Sequence, residues 1–460
     1  MSARAIHLVG IGGAGMSGLA RLAAAAGYRV SGTDREESAT LAALRAAGID
    51  ARAGHAAAAV PADAAAVVVS TAIADDNPDL AEARRRGLPV LHRSQLLAEL
   101  MAGRRGLAVA GAHGKSTTSA MLVAALGGAS AAVGATIAGG GGTGAVWGSG
   151  PWFVAEADES DRSLLNLAPE AAILLNVDHD HHATFASLGE VREVFRAFVA
   201  RLPADGLLVV GPDDEARACA DAAACPVRLM GDGPGGWGRA ERVPGSAGFT
   251  LALADRRRLA VPLALPGAHN ADNAACALAL AEWCGVPLEE AAARLAGFAG
   301  VGRRMEARGR AAGVEVVDDY AHHPAEIRAT LAAARERGPQ RVVVVFQPHL
   351  PSRTRALGPQ IAEALGGADV VVVTDVYLAR EPPDPAATGR GVAERVPAPA
   401  RAVHAPTLAE AADAALAEVR PGDLVITMGA GDITLLGQEL VGRLEKQSVD
   451  GDPDDRSRPA

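Results

Sequence analysis

Ala108-Val109-Ala110-Gly111-Ala112-His113-Gly114-Lys115-Ser116-Thr117-Thr118 is an apolar run that breaks into glycines, a lysine and hydroxyls, then resumes as a helical pattern. Strand, glycine turn and helix in that order read as a nucleotide-phosphate loop. Backbone N–H groups of such a turn face phosphate oxygens, Lys115 neutralises the terminal phosphates, and a Ser or Thr hydroxyl holds Mg2+. The spacing departs from the generic loop, whose first glycine falls where this chain has Val109. Taken alone, the stretch could also be an ordinary strand-to-helix turn, so its neighbours carry the reading.

Towards the N-terminus, Ala5-Ile6-His7-Leu8-Val9 is a short apolar strand followed by Gly10-Ile11-Gly12-Gly13-Ala14-Gly15-Met16-Ser17-Gly18, after which a helical pattern runs to about Ala26. Gly10, Gly12 and Gly15 satisfy the dinucleotide fingerprint: a tight turn, close approach of a pyrophosphate, and close packing of helix on strand. A second strand over Tyr28–Gly32 leads to Asp34, where a ribose-binding acid belongs. The fingerprint recognises a pyrophosphate, so NAD and a nucleotide-sugar both satisfy it. Val67 to Ile73 is a further buried strand carrying Ser70 and Thr71, which either touch a base or ribose or cap the next helix. A short strand near Leu88–Arg93, a helix over Ser94–Met101 and a junction at Gly103–Gly106 close this segment.

Towards the C-terminus, Gly139 to Gly144 reads as a flexible loop, and the strand Trp152–Ala155 runs into Glu156-Ala157-Asp158-Glu159-Ser160-Asp161. Carboxylates packed that densely at a strand end are hard oxygen ligands for Mg2+. A strand at Ala172–Val177 leads to Asp178-His179-Asp180-His181-His182, a cluster suited to a metal or a phosphate. Residues 226–265 look β-rich, and Asn270 and Asn273 precede an Ala-rich helix, as caps or as base or sugar contacts. Arg303 and Arg304 follow a glycine pair. Three more apolar strands end in Asp318-Asp319-Tyr320-Ala321-His322-His323-Pro324, in Gln347-Pro348-His349 with Arg353 and Arg355 nearby, and in Gly429-Ala430-Gly431. Alternating strands and helices imply another parallel-sheet unit.

Composition bounds the rest. At 460 residues the chain needs several domains, and 49% hydrophobic with 21% charged residues is the balance of a globular protein. A net charge of -10 excludes a general nucleic-acid binder. Cysteines 219, 225, 276 and 284 form no C-x-x-C pair, so reduced thiols are expected. No stretch reaches the roughly 18 apolar residues of a membrane span and no signal core precedes the first strand, so a cytoplasmic protein without a membrane partner is expected.

In combination, Gly10 to Gly18, the GAHGKST loop, Glu156 to Asp161, Asp319 to Pro324 and Gln347-Pro348-His349 resemble the Mur ligase family, over nearly the whole chain. The resemblance implies an α/β chain of three domains: an N-terminal Rossmann-like unit for a UDP-sugar (1–102), a central P-loop ATPase-like unit with a parallel or mixed sheet (103–302), and a C-terminal Rossmann-like unit (303–446), before a disordered tail (447–460). It also accounts for the short loop, since the family uses a G-[TA]-x-G-K-[ST] form.

The resemblance further implies ATP and Mg2+ as cofactors, UDP-N-acetylmuramate and L-alanine as substrates, and a monomer or weak homodimer. Gly111, Ala112, His113, Gly114, Lys115, Ser116 and Thr117 would cradle ATP, with Asn270 and Asn273 near the adenine. Arg303 or Arg304 and Asp318 or Asp319 would reach ATP across the domain junction. Ser116 or Thr117, Glu156 and His181 would hold Mg2+. Gly10, Gly12, Gly13, Ala14, Gly15, Met16, Ser17, Asp34, Ser70 and Thr71 would bind the UDP-sugar, and His322, His349, Arg353 and Arg355 would line the cleft for the amino acid and acyl intermediate. Lys115, Glu156, His181 and His322 form the expected catalytic set. The implied reaction activates the lactyl carboxylate as an acyl-phosphate and forms an amide. A murein-tripeptide recycling ligase on the same sugar nucleotide is the near alternative, and an NAD-dependent oxidoreductase fused to an ATP-binding module the distant one.

Overall fold

Three sheets follow one another along the chain. The computed structural model describes residues 4–137, 143–182, 184–232, 235–242, 246, 248–379 and 381–450, with 448–450 as backbone alone. The first sheet is wholly parallel, in the spatial order Asp50–Ala53, Arg29–Asp34, Ala5–Val9, Ala66–Val69, Val90–His92. Strand order reverses between Ala5–Val9 and Ala66–Val69. Ligands of such sheets bind beyond the carboxyl ends at that reversal, which is where the Gly10 turn and Ser70-Thr71 emerge.

The second sheet has ten strands. Its centre is parallel, with Arg105–Ala110 between Ala171–Leu174 and Trp152–Glu156. All three are buried apolar runs with helices on both faces, as parallel strands require. That neighbourhood sets the site, because the phosphate loop leaves its strand flanked by Glu156 on one side and Asn176 on the other. Val109 lies fully buried inside the strand, so the turn begins only at Gly111, and this is why no glycine stands at 109. The β-rich stretch forms an antiparallel edge from Gly236–Glu241, Phe249–Leu253 and Arg258–Val261.

The third sheet carries Glu306–Ala311 antiparallel to Val314–Asp319, followed by Leu424–Met428, Val342–Phe346, Val370–Val373 and Arg401–His404 in parallel. The three sheets are built from residues 5–92, 105–261 and 306–428. Among the described residues no helix is long and apolar enough to cross a membrane.

Element ends differ from the sequence reading in ways that bear on function. The first helix is Ala14–Ala25 and starts inside the glycine run, with Gly13 as an N-cap that offers no side-chain oxygen. The helix after Ser70-Thr71 is Pro78–Arg85, capped by Asn77, so those two hydroxyls do not cap it. Asn270 and Asn273 lie within the helix Ala268–Trp283, whose N-cap is Gly267, so neither is a cap. The final helix, Thr434–Asp450, runs into the segment expected as a tail. Residues 139–142 of the expected flexible loop and 451–460 lie outside the described residues.

One half-buried acid has no role in any of this. Asp272 sits in the Ala268–Trp283 helix with its carboxyl pushed up to about 6 by burial alone. Its folded pKa lies above the unfolded value, so the charged form destabilises the fold above pH 6, and the effect fades as pH falls towards 4. Asp272→Asn is therefore expected to stabilise by roughly 1–3 kcal/mol at pH 8. Thermal unfolding of the two proteins should converge near pH 4.

Candidate active site

Gly111 and Gly114 have φ of 139° and 84°. A Cβ on Gly111 would stand 3.0 Å from Leu175 Cβ, and one on Gly114 would stand 3.0 Å from Asn273 Oδ1, so side chains are excluded by both strain and space. The N–H groups of Ala112 and His113 are not free for phosphate: they donate to Asn176 O (3.2 Å) and Asn176 Oδ1 (2.8 Å). Asn176 thereby fixes the turn. The helix Lys115–Leu126 that follows has no side-chain cap, which leaves its first N–H groups open towards an anion.

Lys115 Nζ donates to Gly111 O (2.7 Å) and Ala112 O (3.1 Å) and lies 2.9 and 3.1 Å from the Glu159 carboxylate. Burial works against its charge, but Glu159, Asp158 and Glu156 outweigh it and raise the ammonium pKa. Glu159 is buried and also faces His181 Nε2 at 3.5 Å. A second carboxylate, Glu156, accepts from Ser116 Oγ (2.9 Å) and Gly134 N (2.7 Å). The structure separates the two hydroxyls offered by the sequence: Ser116 meets Glu156, while Thr117 faces a neighbouring cleft.

That cleft, of about 500 Å³, lies between the second and third sheets. It is lined by His113, Gly114 and Thr117, by Asn270 and Asn273, and by Arg304, Asp319 and Glu326. Arg303 and Asp318 are turned away. Residues 318 and 319 point to opposite faces of one strand. Asp318 is fully buried against Arg303 Nε (3.1 Å), Arg308 Nη2 (3.0 Å) and the hydroxyls of Thr427 and Thr434. Asp319 instead accepts from Met305 N (2.8 Å), Ala321 N (2.9 Å) and Thr330 Oγ1 (3.1 Å). Its bond to Met305 N belongs to a turn in which Arg303 and Met305 are left-handed (φ 58° and 49°) and Arg304 meets Glu326 at the cleft (3.0 Å).

On the other side of the phosphate loop a cavity of about 1200 Å³ draws residues from all three sheets. Gly10, Gly12, Gly13, Ala14, Gly15, Met16, Asp34, Ser70 and Thr71 line it from the first, Asp158, Asp180 and His181 from the second, and Arg353 from the third. Asp34 accepts the N–H of Gly12 at 2.7 Å, tying the glycine turn to the end of the second strand. Ser17 departs from expectation: it lies a turn along the helix, bonds Ala14 O at 3.2 Å and faces a separate space of about 260 Å³. Lys115 and Glu159 line neither large cavity; His181, which faces Glu159, lines the larger one, and Gly114, next to Lys115 in the loop, lines the cleft.

Arg353 is buried and holds Asp180 at 2.9 to 3.2 Å with Nε and Nη2, a clamp between the second and third sheets. Burial opposes ionisation of Asp180, yet His322 and Arg353 keep its carboxyl well below the usual range. His349 stands behind Arg353, with Nδ1 3.1 Å from its Nη1 and its ring stacked on Tyr377; burial and the neighbouring His322 and Arg353 push its pKa down to about 3. His322 bonds Tyr320 O through Nδ1 (3.0 Å) and faces Asp180 at 3.8 Å. His322 and His349 therefore support Arg353 rather than line the cavity. Arg355 does not line it either. Two residues on along the helix Pro351–Leu365, it points outward, 65% exposed, and pairs with Asp384.

Four acids the sequence reading did not assign complete the arrangement: Glu159, Asp178, Asp180 and Glu326. Glu159 stands in the quoted acidic run, and Asp178 and Asp180 in the quoted acid-histidine cluster. The signal for Glu326 is the His-Pro-x-Glu spacing of a helix start, where it forms a capping box with His323.

Comparison with known proteins agrees with this geometry. Residues 5–105 match the model described as Mur ligase family, catalytic domain, residues 152–281 the Mur ligase middle domain, and residues 303–431 the Mur ligase, glutamate ligase domain. The UDP-N-acetylmuramate--L-alanine ligase of Saccharopolyspora erythraea is 47% identical across 96% of this chain and 94% of its own, and that of Streptomyces coelicolor 46% across 96% and 97%. The crystal structure of UDP-N-acetylmuramate-alanine ligase from Thermotoga maritima superposes with a TM-score of 0.80 at 29% identity, covering 96% of this chain and 99% of that one. A murein peptide ligase from Psychrobacter arcticus shares the fold, with a TM-score of 0.71 at 24% identity over 96% and 99%. With a phosphate loop, a pyrophosphate turn and a third sheet converging on one buried set of charges, and with relatives alike from end to end, the chain belongs to the Mur ligase family.

Proposed function

We propose that this chain is an ATP-dependent ligase that joins L-alanine to the lactyl carboxylate of UDP-N-acetylmuramate, in cytoplasmic synthesis of peptidoglycan precursors. The observation that carries the reading is the Lys115–Glu159–His181 chain, which runs from the loop whose His113 and Gly114 line the cleft around Asn270 and Arg304 to His181 in the cavity at the Gly10 turn. End-to-end likeness to the L-alanine-adding relatives supports the choice of substrates.

ATP occupies the 500 Å³ cleft on this reading, with its adenine near Asn270 and Asn273, Arg304 across the junction, and its phosphates on the uncapped helix at Lys115. The UDP-sugar lies in the larger cavity with its pyrophosphate at the Gly10 turn. Ser116, Glu156, Glu159 and His181 fit Mg2+, because they gather hard oxygen donors and one imidazole beside the phosphate loop. Bound there, Mg2+ would neutralise phosphate charge.

A lactyl carboxylate oxygen attacks the γ-phosphorus and ADP leaves, giving an acyl-phosphate. Lys115 stabilises the charge that spreads over the transferring group. The amine of alanine, whose carboxylate Arg353 attracts, then attacks the acyl carbon, and phosphate leaves as the amide forms. The proton lost from the amine leaves on the departing phosphate. Clamping of the third sheet by Asp180 and Arg353 keeps water from the acyl-phosphate.

Purified protein is expected to release phosphate only when ATP, Mg2+, UDP-N-acetylmuramate and L-alanine are all present. Release no greater than background would overturn the reading. Substituting a murein tripeptide for alanine separates it from the recycling reaction.

A further inference from the structure

We propose that His113, Asp178 and His323 form a chelating site for a transition-metal dication of the Zn2+ type, distinct from the Mg2+ set. The donor atoms of the three side chains all lie within 4.8 Å of one another. Asp178 Oδ2 is 3.2 Å from His113 Nε2 and 3.6 Å from His323 Nδ1. Ligand atoms about 2.0–2.1 Å from a tetrahedral Zn2+ stand roughly 3.4 Å apart, so these separations already match. Rotations of the imidazole rings, whose centroids are 4.7 Å apart, close the third.

The chemistry of the donors selects the ion. Two imidazoles and one carboxylate suit Zn2+, Co2+ or Ni2+, whereas Mg2+ prefers a shell made mostly of oxygen donors, such as Ser116, Glu156 and Glu159 offer. An outer layer of partners is in place as well. His113 turns its other nitrogen, Nδ1, towards Glu326 Oε1 at 3.7 Å, and Glu326 is fixed by Arg304. A small shift that shortens this approach would complete the carboxylate–histidine–metal arrangement that orients a ligand ring. Asp178 Oδ1 accepts the N–H of His179 at 2.8 Å, which leaves Oδ2 for the ion.

The ligands come from both sides of the ATP cleft. His113 belongs to the phosphate loop, Asp178 follows the strand Ala171–Leu174, and His323 caps the helix Pro324–Glu336 of the third unit through a long Nδ1 contact with Ala325 N (3.4 Å) that the ion would replace. A bound ion would staple that unit to the phosphate loop. With the two units linked in this way, the proposed ligase would be slowed by Zn2+. Only this inhibition rests on the proposed ligase activity; binding does not.

The test is calorimetric titration of Zn2+ into the full chain without nucleotide or Mg2+, with Co2+ absorption as a second probe. Expected are one Zn2+ per chain, affinity at least about tenfold weaker in Asp178→Asn and in His323→Asn, and loss of the tetrahedral Co2+ bands in both. Ser116→Ala, which removes a proposed Mg2+ donor, should keep Zn2+ affinity within about twofold. Thermal unfolding of each variant checks that it is folded. Undiminished binding in both ligand variants, dependence on Ser116, or no binding by the folded chain would overturn the proposal. Zn2+ binding that follows the ligand variants in a protein without ligase activity would uphold the site while ending the functional reading.

Discussion

Lys115→Met is expected to lower phosphate release at saturating substrates by about 10²- to 10³-fold, while the affinity for the UDP-sugar stays near that of the parent. Lys115 touches the loop carbonyls and Glu159, and the larger cavity, proposed for the sugar, does not include it. The same substitution should destabilise the protein. Glu159 is buried, and without Lys115 its remaining neighbour is His181 at 3.5 Å, so an under-compensated charge costs about 3–5 kcal/mol. The double variant Lys115→Met, Glu159→Gln separates the two effects: it should recover much of the lost thermal stability and none of the turnover. Recovery of turnover would show that Lys115 only keeps Glu159 in place. Lys115→Arg should not rescue, because a planar guanidinium cannot replace a compact ammonium held between two loop carbonyls and one carboxylate.

Arg353→Met is expected to raise the KM for the amino acid by about 10²-fold and to lower thermal stability. The variant strands the buried Asp180 carboxylate, leaving His322 at 3.8 Å as its neighbour from the third sheet. Loss of one partner of a buried ion pair costs about 3–5 kcal/mol, and here that cost falls on the contact between two domains. Limited proteolysis between the second and third sheets should quicken accordingly. Arg355→Ala is the internal control. Its side chain is exposed and its pair with Asp384 is of the surface kind, so stability should change by less than about 1 kcal/mol and KM should not move. Equal effects of the two substitutions would contradict the placement of Arg353 in the cavity.

How the site could be foreseen depended on the kind of signal. The two glycine turns were legible because they are backbone requirements: positive φ at Gly10, Gly111 and Gly114, and no room for a Cβ, leave glycine as the residue that fits. The acidic run was legible as a feature, yet Glu156 was singled out and Glu159 was not. Both stand near the end of one strand. Which carboxylate meets Lys115 depends on how the chain turns after Glu156, and local sequence does not encode that turn.

Arg303 against Arg304 and Asp318 against Asp319 were left open, and Arg353 and Arg355 were both expected in the cleft. The strand pleat separates the two acids, helix rotation separates Arg353 from Arg355, and the left-handed turn at Arg303 and Met305 separates Arg303 from Arg304. Periodicity states that one of each pair faces a cleft. It does not state which, because that depends on where a neighbouring sheet lies, and the neighbour of Arg353 is Asp180, far away along the chain.

The sequence by itself therefore determined the three α/β units, the two phosphate-binding turns and the family they resemble, since these rest on local backbone geometry and on the order of motifs. Tertiary structure decided which charges are spent on one another. Asp318 is consumed by Arg303 and Arg308, Asp180 by Arg353, and Glu159 by Lys115. Each of those carboxylates is buried, and a buried charge persists only beside a compensating one, so its partner has to be delivered by the packing of distant segments.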